Sequence, residues 1–118
     1  LRSHLHYRND ILFVGDAAGF THPITGAGIS AAVVSGEAAG SAVVDFFAGE
    51  TASFHEYEED MRDQYEPTLR RAVERRQWLN PYWHTQFVQK DEVMRCGWIA
   101  FDEYFSTTIA DIKTKAFC

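Results

Sequence analysis

The chain has 118 residues, 46% of them hydrophobic, and a formal net charge of −6. The length fits one domain or a fragment of one. The acidic balance argues against a nucleic-acid partner, which is usually bound by a basic face. The two cysteines match no metal-ligand spacing, and no apolar run approaches the roughly 20 residues of a membrane span. We expect a cytoplasmic protein with no membrane span and no metal site.

The first element is predicted at residues 11–14, a continuous apolar run with polar flanks. Such a run favours a buried strand in a parallel sheet that is covered on both faces. The sequence has no initiator Met and reaches this run within about ten residues. We therefore expect the chain to begin inside a larger protein.

Residues 15–28 form a loop rich in glycine, and the helical pattern begins at about residue 26 and continues to residue 47. Its predicted packing face is Ile29, Ala32, Val33, Gly36, Ala39, Gly40, Val43, Val44 and Phe47. Gly36 and Gly40 cost up to about 1 kcal/mol each relative to Ala, and close packing on a sheet would explain that cost. Gly49 is predicted to end the helix.

A second helix is predicted over residues 53–78, capped by Ser53 and interrupted or kinked by Pro67. The four arginines within residues 70–76 are expected on a solvated face of this helix. Asn80 and Pro81 end the pattern. The aromatic-rich remainder is expected to form two short helices that separate near Cys96 and Gly97. We predict a first region at 1–50 and a helical C-terminal region at 51–118.

The residues that point to chemistry begin where the predicted strand ends. Asp16 follows Gly15 there, and ligands of α/β proteins bind at that edge of the sheet. The next helix is predicted to begin with Gly26 and Gly28. Because these residues have no side chains, the unpaired N–H groups and the partial positive charge of the helix N-terminus are accessible to a ligand. Residues 26–31 also match G-x-G-x-x-A, but a dinucleotide turn would follow the strand directly. Eleven residues separate Val14 from Gly26, so we reject that interpretation.

This arrangement resembles the second FAD-binding motif, the GD motif, of para-hydroxybenzoate hydroxylase-type flavoproteins, and most closely that of the geranylgeranyl reductase family. The matching residues are Gly15, Asp16, Ala17, Ala18, Gly19, Phe20, Pro23, Thr25, Gly26, Ala27, Gly28, Ile29, Ala32, Ser35 and Gly36. The resemblance covers about a quarter of the chain. It implies an α/β fold, the C-terminal part of a glutathione-reductase-like FAD-binding domain, with one strand and a long helix before the helical C-terminal region.

The resemblance also implies a set of cofactor-binding residues. Asp16 would bind the ribityl chain of FAD, and Gly28 and Ile29 would contact the flavin ring. The full predicted set is Gly15, Asp16, Pro23, Thr25, Gly26, Ala27, Gly28 and Ile29. The GxGxxG that holds the ADP half in this family is absent from the sequence, so a preceding part of the same protein or a companion chain would supply it. The implied activity is an FAD-dependent oxidoreductase that reduces an apolar, isoprenoid-like substrate, with NAD(P)H as external reductant.

Two alternatives remain open at this level. One is a flavin-dependent monooxygenase or halogenase, and the other is a non-catalytic subunit that keeps the fold without flavin. No side chain is a compelling catalytic acid or base, so the catalytic residues are unknown. His22 is either a polar loop residue or a neighbour of the ligand, and His4 and His6 do not make a metal site. Cys96 is expected to be buried and inert. The aromatic side chains of this region either form the core of a helical region or in part line an apolar pocket, for which Tyr82 and Trp83 are the first candidates. They are Trp78, Tyr82, Trp83, Phe87, Trp98, Phe101 and Tyr104.

Overall fold

The structure, a computed structural model, describes residues 7–8, 11–82, 84, 91–108 and 110–111. These residues are mainly helical. The elements are β1 (Tyr7–Arg8), β2 (Ile11–Leu12), a 3₁₀ turn (Gly15–Ala18), α1 (Ile29–Ala48), α2 (His55–Leu79), a second 3₁₀ turn (Asn80–Tyr82), α3 (Asp91–Gly97) and α4 (Asp102–Ser106). The predictions on His4, His6, Trp83, Phe87 and Cys118 lie outside the described residues, as does the side chain of Tyr82.

The predicted α/β fold is wrong for the part of the chain that the structure describes. β2 pairs antiparallel with β1, with Tyr7 opposite Leu12 and Arg8 opposite Ile11. Ile11 is 58% exposed, so this strand is not buried on both faces. A parallel sheet needs further strands reached through long crossovers, and the described residues contain none. The apolar run instead pairs with the nearest extended segment, for which the loop-closure entropy is smallest.

The described residues divide into two compact units. The first comprises residues up to 22 together with 26–70, and the second comprises 23–25 together with the residues from 71 onward. α2 therefore contributes to both units. The sequence-based boundary at residue 50 remains a prediction.

The core of the first unit is formed by the 3₁₀ turn, α1 and the N-terminal part of α2. Its buried residues are Ala18, Phe20, Ala31, Ala39, Tyr57 and Met61. The ring of Phe20 stacks on Tyr65 with centroids 4.7 Å apart. The hydroxyl of Tyr57 donates to the carbonyl of Phe13 at 2.7 Å, which ties α2 to the segment that follows β2. Burial, with a smaller contribution from Tyr65, raises the pKa of Tyr57.

α1 begins and ends close to its predicted bounds. Gly49 adopts the left-handed conformation, with φ of 77°, and its N–H bonds the carbonyl of Phe46. The predicted stop at this glycine is therefore confirmed, because a residue without a Cβ takes this conformation at little cost.

The predicted packing face of α1 is wrong for its large residues. The buried positions are Ala31, Ser35 and Ala39, four residues apart, whereas Val33 is 63% exposed and Phe47 is 83% exposed. Gly36 and Gly40 have no neighbour within 4 Å of an added Cβ, so close packing does not explain them in the described structure. The side that meets the 3₁₀ turn must be narrow because the backbone of Gly15 approaches it closely, and only small side chains fit there.

α1 is 20 residues long and apolar enough, by length and composition, to cross a membrane. A core helix of a globular protein passes the same test, and α1 carries Glu37 and Asp45 within its span. This property therefore does not decide between the two environments.

α2 runs as one helix through Pro67, so the predicted interruption is wrong, whereas the alternative of a kink at Pro67 remains a prediction. Its end at Leu79, before Asn80 and Pro81, is confirmed, and so is the separation of α3 and α4 near Gly97. One of the four arginines predicted on a solvated face, Arg75, is buried instead. It belongs to the second unit.

The second unit has its own small core, in which Ile24 and Trp78 pack on Leu79 and Val93. Arg75 is 4% exposed in this unit. Its guanidinium donates to the carbonyls of Cys96 and Thr107 and lies 4.6 Å from the ring centroid of Tyr104. These carbonyls stand at the ends of α3 and α4, where helix dipoles favour a cation. Cys96 is a buried free thiol, as expected.

Candidate functional site

The candidate site of the first unit lies where the 3₁₀ turn meets the N-terminus of α1. Gly15 begins the turn with φ of 53°, a conformation that L side chains rarely adopt. Its N–H donates to the hydroxyl of Ser35 at 2.9 Å, and that hydroxyl donates onward to the carbonyl of Ala31 at 2.6 Å. The turn is thereby fastened to the first two turns of α1.

The close packing of the 3₁₀ turn against α1 requires a glycine at position 15. A Cβ at Gly15 would lie 3.0 Å from the Cβ of Ala32 and 3.2 Å from its Cα. The close backbone approach at this position is therefore made to α1. The next residue, Asp16, is placed at the helix N-terminus as a consequence.

The carboxylate of Asp16 is exposed and held in position. Its Oδ1 accepts a short hydrogen bond from the hydroxyl of Thr21. The same oxygen lies 2.8 Å from the place that a Cβ at Gly28 would occupy. Asp16 and Gly28, twelve positions apart in the sequence, are thus neighbours, which the predicted site requires.

The N-terminus of α1 is open next to this carboxylate. Gly28 is its N-cap residue, and no side chain among the described residues caps the helix there. Ile29, the first helical residue, is 86% exposed. The first N–H groups of a helix lack intrahelical acceptors and carry a partial positive charge. A group that combines hydroxyls with electron-rich acceptors matches this pair of features.

The loop that precedes α1 is closed by backbone hydrogen bonds. The N–H of His22 donates to the carbonyl of Ala27 at 2.8 Å, and the N–H of Gly26 donates to the carbonyl of His22 at 2.9 Å. Gly26 has φ of 72° and open space around it. Gly26 and Ala27, which precede Gly28, are both exposed residues.

His22 is buried, and burial lowers its pKa. A neutral imidazole is therefore favoured at this position. Because the whole residue is only 5% exposed, it offers little surface to a ligand bound at the helix N-terminus. Of the two interpretations of this residue, the structure supports a structural role in the loop.

The predicted set is only partly brought together. Gly15, Asp16, Gly26, Ala27, Gly28 and Ile29 belong to the first unit, and Pro23 and Thr25 belong to the second. The carbonyl of Pro23 accepts a hydrogen bond from Arg76 within the second unit. The compact site therefore consists of the first six residues.

Sequence reasoning missed Thr21, which holds the Asp16 carboxylate. Its hydroxyl acts across five residues of irregular loop, and no helical or strand periodicity marks such a spacing. Ser35 belongs to the sequence motif, but its bond to the N–H of Gly15 depends on how the turn packs against α1. Neither role is readable without the tertiary contact.

The sequence has no significant match among protein-family models, curated proteins or solved structures.

Proposed function

We propose that this protein is part of an FAD-dependent oxidoreductase and that the compact site of the first unit holds the flavin end of the cofactor. The residues of that site are Gly15, Asp16, Gly26, Ala27, Gly28 and Ile29. The observation that carries the proposal is the pairing of Asp16 with Gly28 at the uncapped start of α1. The Asp16 carboxylate can accept hydrogen bonds, and the first N–H groups of α1 beside it can donate them. Together they suit a ligand that has hydroxyls next to a polar ring edge.

The residues of the compact site fit the flavin half in kind. Asp16 would accept hydrogen bonds from ribityl hydroxyls, and Thr21 would keep that carboxylate turned toward them. The N–H groups that follow Gly28 would face the acceptor atoms of the ring. A side chain at Gly28 would displace the carboxylate, because a Cβ there stands 2.8 Å from Oδ1.

When bound, FAD would supply two-electron transfer from NAD(P)H to a carbon–carbon double bond of an apolar, isoprenoid-like substrate. The contribution of this chain is to bind and orient the flavin. The ADP half would be held elsewhere, by a preceding part of the same protein or by a companion chain, because this sequence has no GxGxxG that follows a strand.

The test is FAD retention by the native protein that contains this chain. We expect absorbance near ~450 nm in the purified protein, as in flavoproteins in general, and FAD release on denaturation. Asp16→Ala should weaken FAD binding roughly 10- to 150-fold, since a hydrogen bond to a charged group is worth about 1.5–3 kcal/mol.

The matched control is Asp45→Ala, which removes an exposed carboxylate near the other end of α1. It should leave FAD affinity within about twofold of the wild type, an effect expected of a remote surface charge. A colourless native protein that releases no FAD would refute the proposal and favour a non-catalytic module. Equal losses in the two variants would remove Asp16 from the site.

A further inference from the structure

The first unit carries more than the whole net negative charge of the protein. Residues up to 22 together with 26–70 contain eleven acidic and four basic residues, a balance of −7 against −6 for the full chain. The acidic residues are Asp10, Asp16, Glu37, Asp45, Glu50, Glu56, Glu58, Glu59, Asp60, Asp63 and Glu66. Two of the four basic residues are paired within α2, Arg62 with Glu58 and Arg70 with Glu66. This surface therefore has an excess of carboxylates over cations.

Part of this charge surrounds a groove between α1 and α2. The groove has a volume of about 580 Å³ and is shallow and open to solvent. Its apolar floor is formed by Val34, Ala38 and Met61, and its polar lining by Glu37, Asp60, Asp63 and Gln64. Met61 is buried and belongs to the core of the unit, so the floor of the groove is continuous with that core.

The three carboxylates of the groove form no ion pair with any other residue that the structure describes. They converge on a small apolar surface from two helices. The described residues contain no group of three His, Cys, Asp or Glu that is arranged to hold a metal ion. A ligand that complements this groove therefore carries positive charges at several points and has an apolar part between them.

We propose that the groove between α1 and α2 docks a basic, amphipathic peptide segment of a partner protein. One apolar side chain of that segment lies on Val34, Ala38 and Met61. Lysine or arginine side chains within one turn on either side pair with Glu37, Asp60 and Asp63. Charge complementarity selects the segment, and the apolar contact fixes its register.

A peptide suits this groove better than a small molecule. Pockets for small ligands enclose most of the ligand surface, whereas this groove is open and has a charged rim. The lining residues span about one helical turn on each helix, so one apolar anchor and its immediate neighbours fill it. The proposal does not depend on the flavin site, because none of the groove residues belongs to that site.

The experiment measures the fluorescence anisotropy of a labelled synthetic peptide titrated with the full chain. The peptide has one central leucine, with lysines within one helical turn on either side. We expect saturable binding that weakens as salt is raised, since surface charges are screened. The triple variant Glu37→Gln, Asp60→Asn, Asp63→Asn should bind about tenfold more weakly, the combined effect of three surface ion pairs.

The matched control is Asp45→Asn, Glu50→Gln, Glu74→Gln, which has the same net charge and leaves the groove intact. It should bind within about twofold of the wild type, because screened charges outside the groove contribute little. Val34→Lys, which places a cation on the floor, should bind as weakly as the groove variant. Circular dichroism of each variant checks that the helices are retained.

Three results would overturn the proposal. The first is no saturable binding of the lysine peptide to the wild-type chain. The second is an equal loss in the two triple variants, which would indicate general electrostatic attraction. The third is equally tight binding of a peptide with the same composition in scrambled order.

Discussion

The carboxylate of Asp16 stands against the backbone of Gly28, so close that an added Cβ at residue 28 would lie 2.8 Å from Oδ1. The hydroxyl of Thr21 donates a hydrogen bond to the same Oδ1 of Asp16. The oxygen of that hydroxyl would lie 3.3 Å from a Cβ added at residue 28. The start of α1 is therefore shaped by a carboxylate that comes from a separate turn. This relationship has consequences for both stability and binding.

Gly28→Ala should displace the Asp16 carboxylate while leaving the fold intact. The clashing atoms are side-chain ends that can move, so we expect a loss of only about 1 kcal/mol in the free energy of unfolding, the low end for overpacking. In the double variant Asp16→Ala, Gly28→Ala most of this loss should vanish, which urea denaturation of all four proteins measures. Strict additivity of the two changes would show that the contact does not exist.

Gly15→Ala should be far more damaging than Gly28→Ala. It combines a left-handed backbone with a contact to Ala32 that includes backbone atoms. We expect a loss of about 2–5 kcal/mol, the sum of the left-handed and overpacking costs. Gly26→Ala is the matched control, because it shares the positive φ but has open space. It should cost about 1–2 kcal/mol, and equal losses for the two would contradict the packing explanation.

Stability should fall on mild acidification because of His22. Burial lowers the pKa of its imidazole in the folded protein from 6.5. The unfolded chain then binds the proton more tightly, so the free energy of unfolding is highest above pH 6.5. It decreases as the pH falls from 6.5 toward the folded-state pKa. Urea unfolding of the wild type and His22→Gln between pH 5 and 8, the range in which histidine titrates, measures this contribution, and identical slopes for the two proteins would contradict it.

Arg75→Met should loosen the second unit. The change removes the donors to the carbonyls of Cys96 and Thr107 and the cation over Tyr104. Because buried carbonyls lose their partners, we expect a loss of about 1–3 kcal/mol. Hydrogen exchange should locate the faster amides in α3 and α4. Arg71→Met, at an exposed position of the same helix, should change these amides little.

Local chemistry in the sequence was enough to predict the helices. The ends of α1 and α2 follow from Gly49 and from the pair Asn80 and Pro81, because helix termination depends on the backbone preferences of a few adjacent residues. Hydrogen bonds inside a helix also connect near neighbours. For the same reason the separation of α3 from α4 near Gly97 was predicted correctly.

Tertiary structure alone decided which surfaces of those helices are used and how the candidate site is assembled. The large apolar residues of α1 were expected to be buried, but its narrow side at Ala31, Ser35 and Ala39 is buried instead, because the turn at Gly15 leaves no room for more. The partner of β2 and the bond from Thr21 to Asp16 likewise join residues across irregular chain. The residues of the site can be recognised in the sequence. Their proximity in space depends on packing between separate segments, which no local sequence pattern encodes.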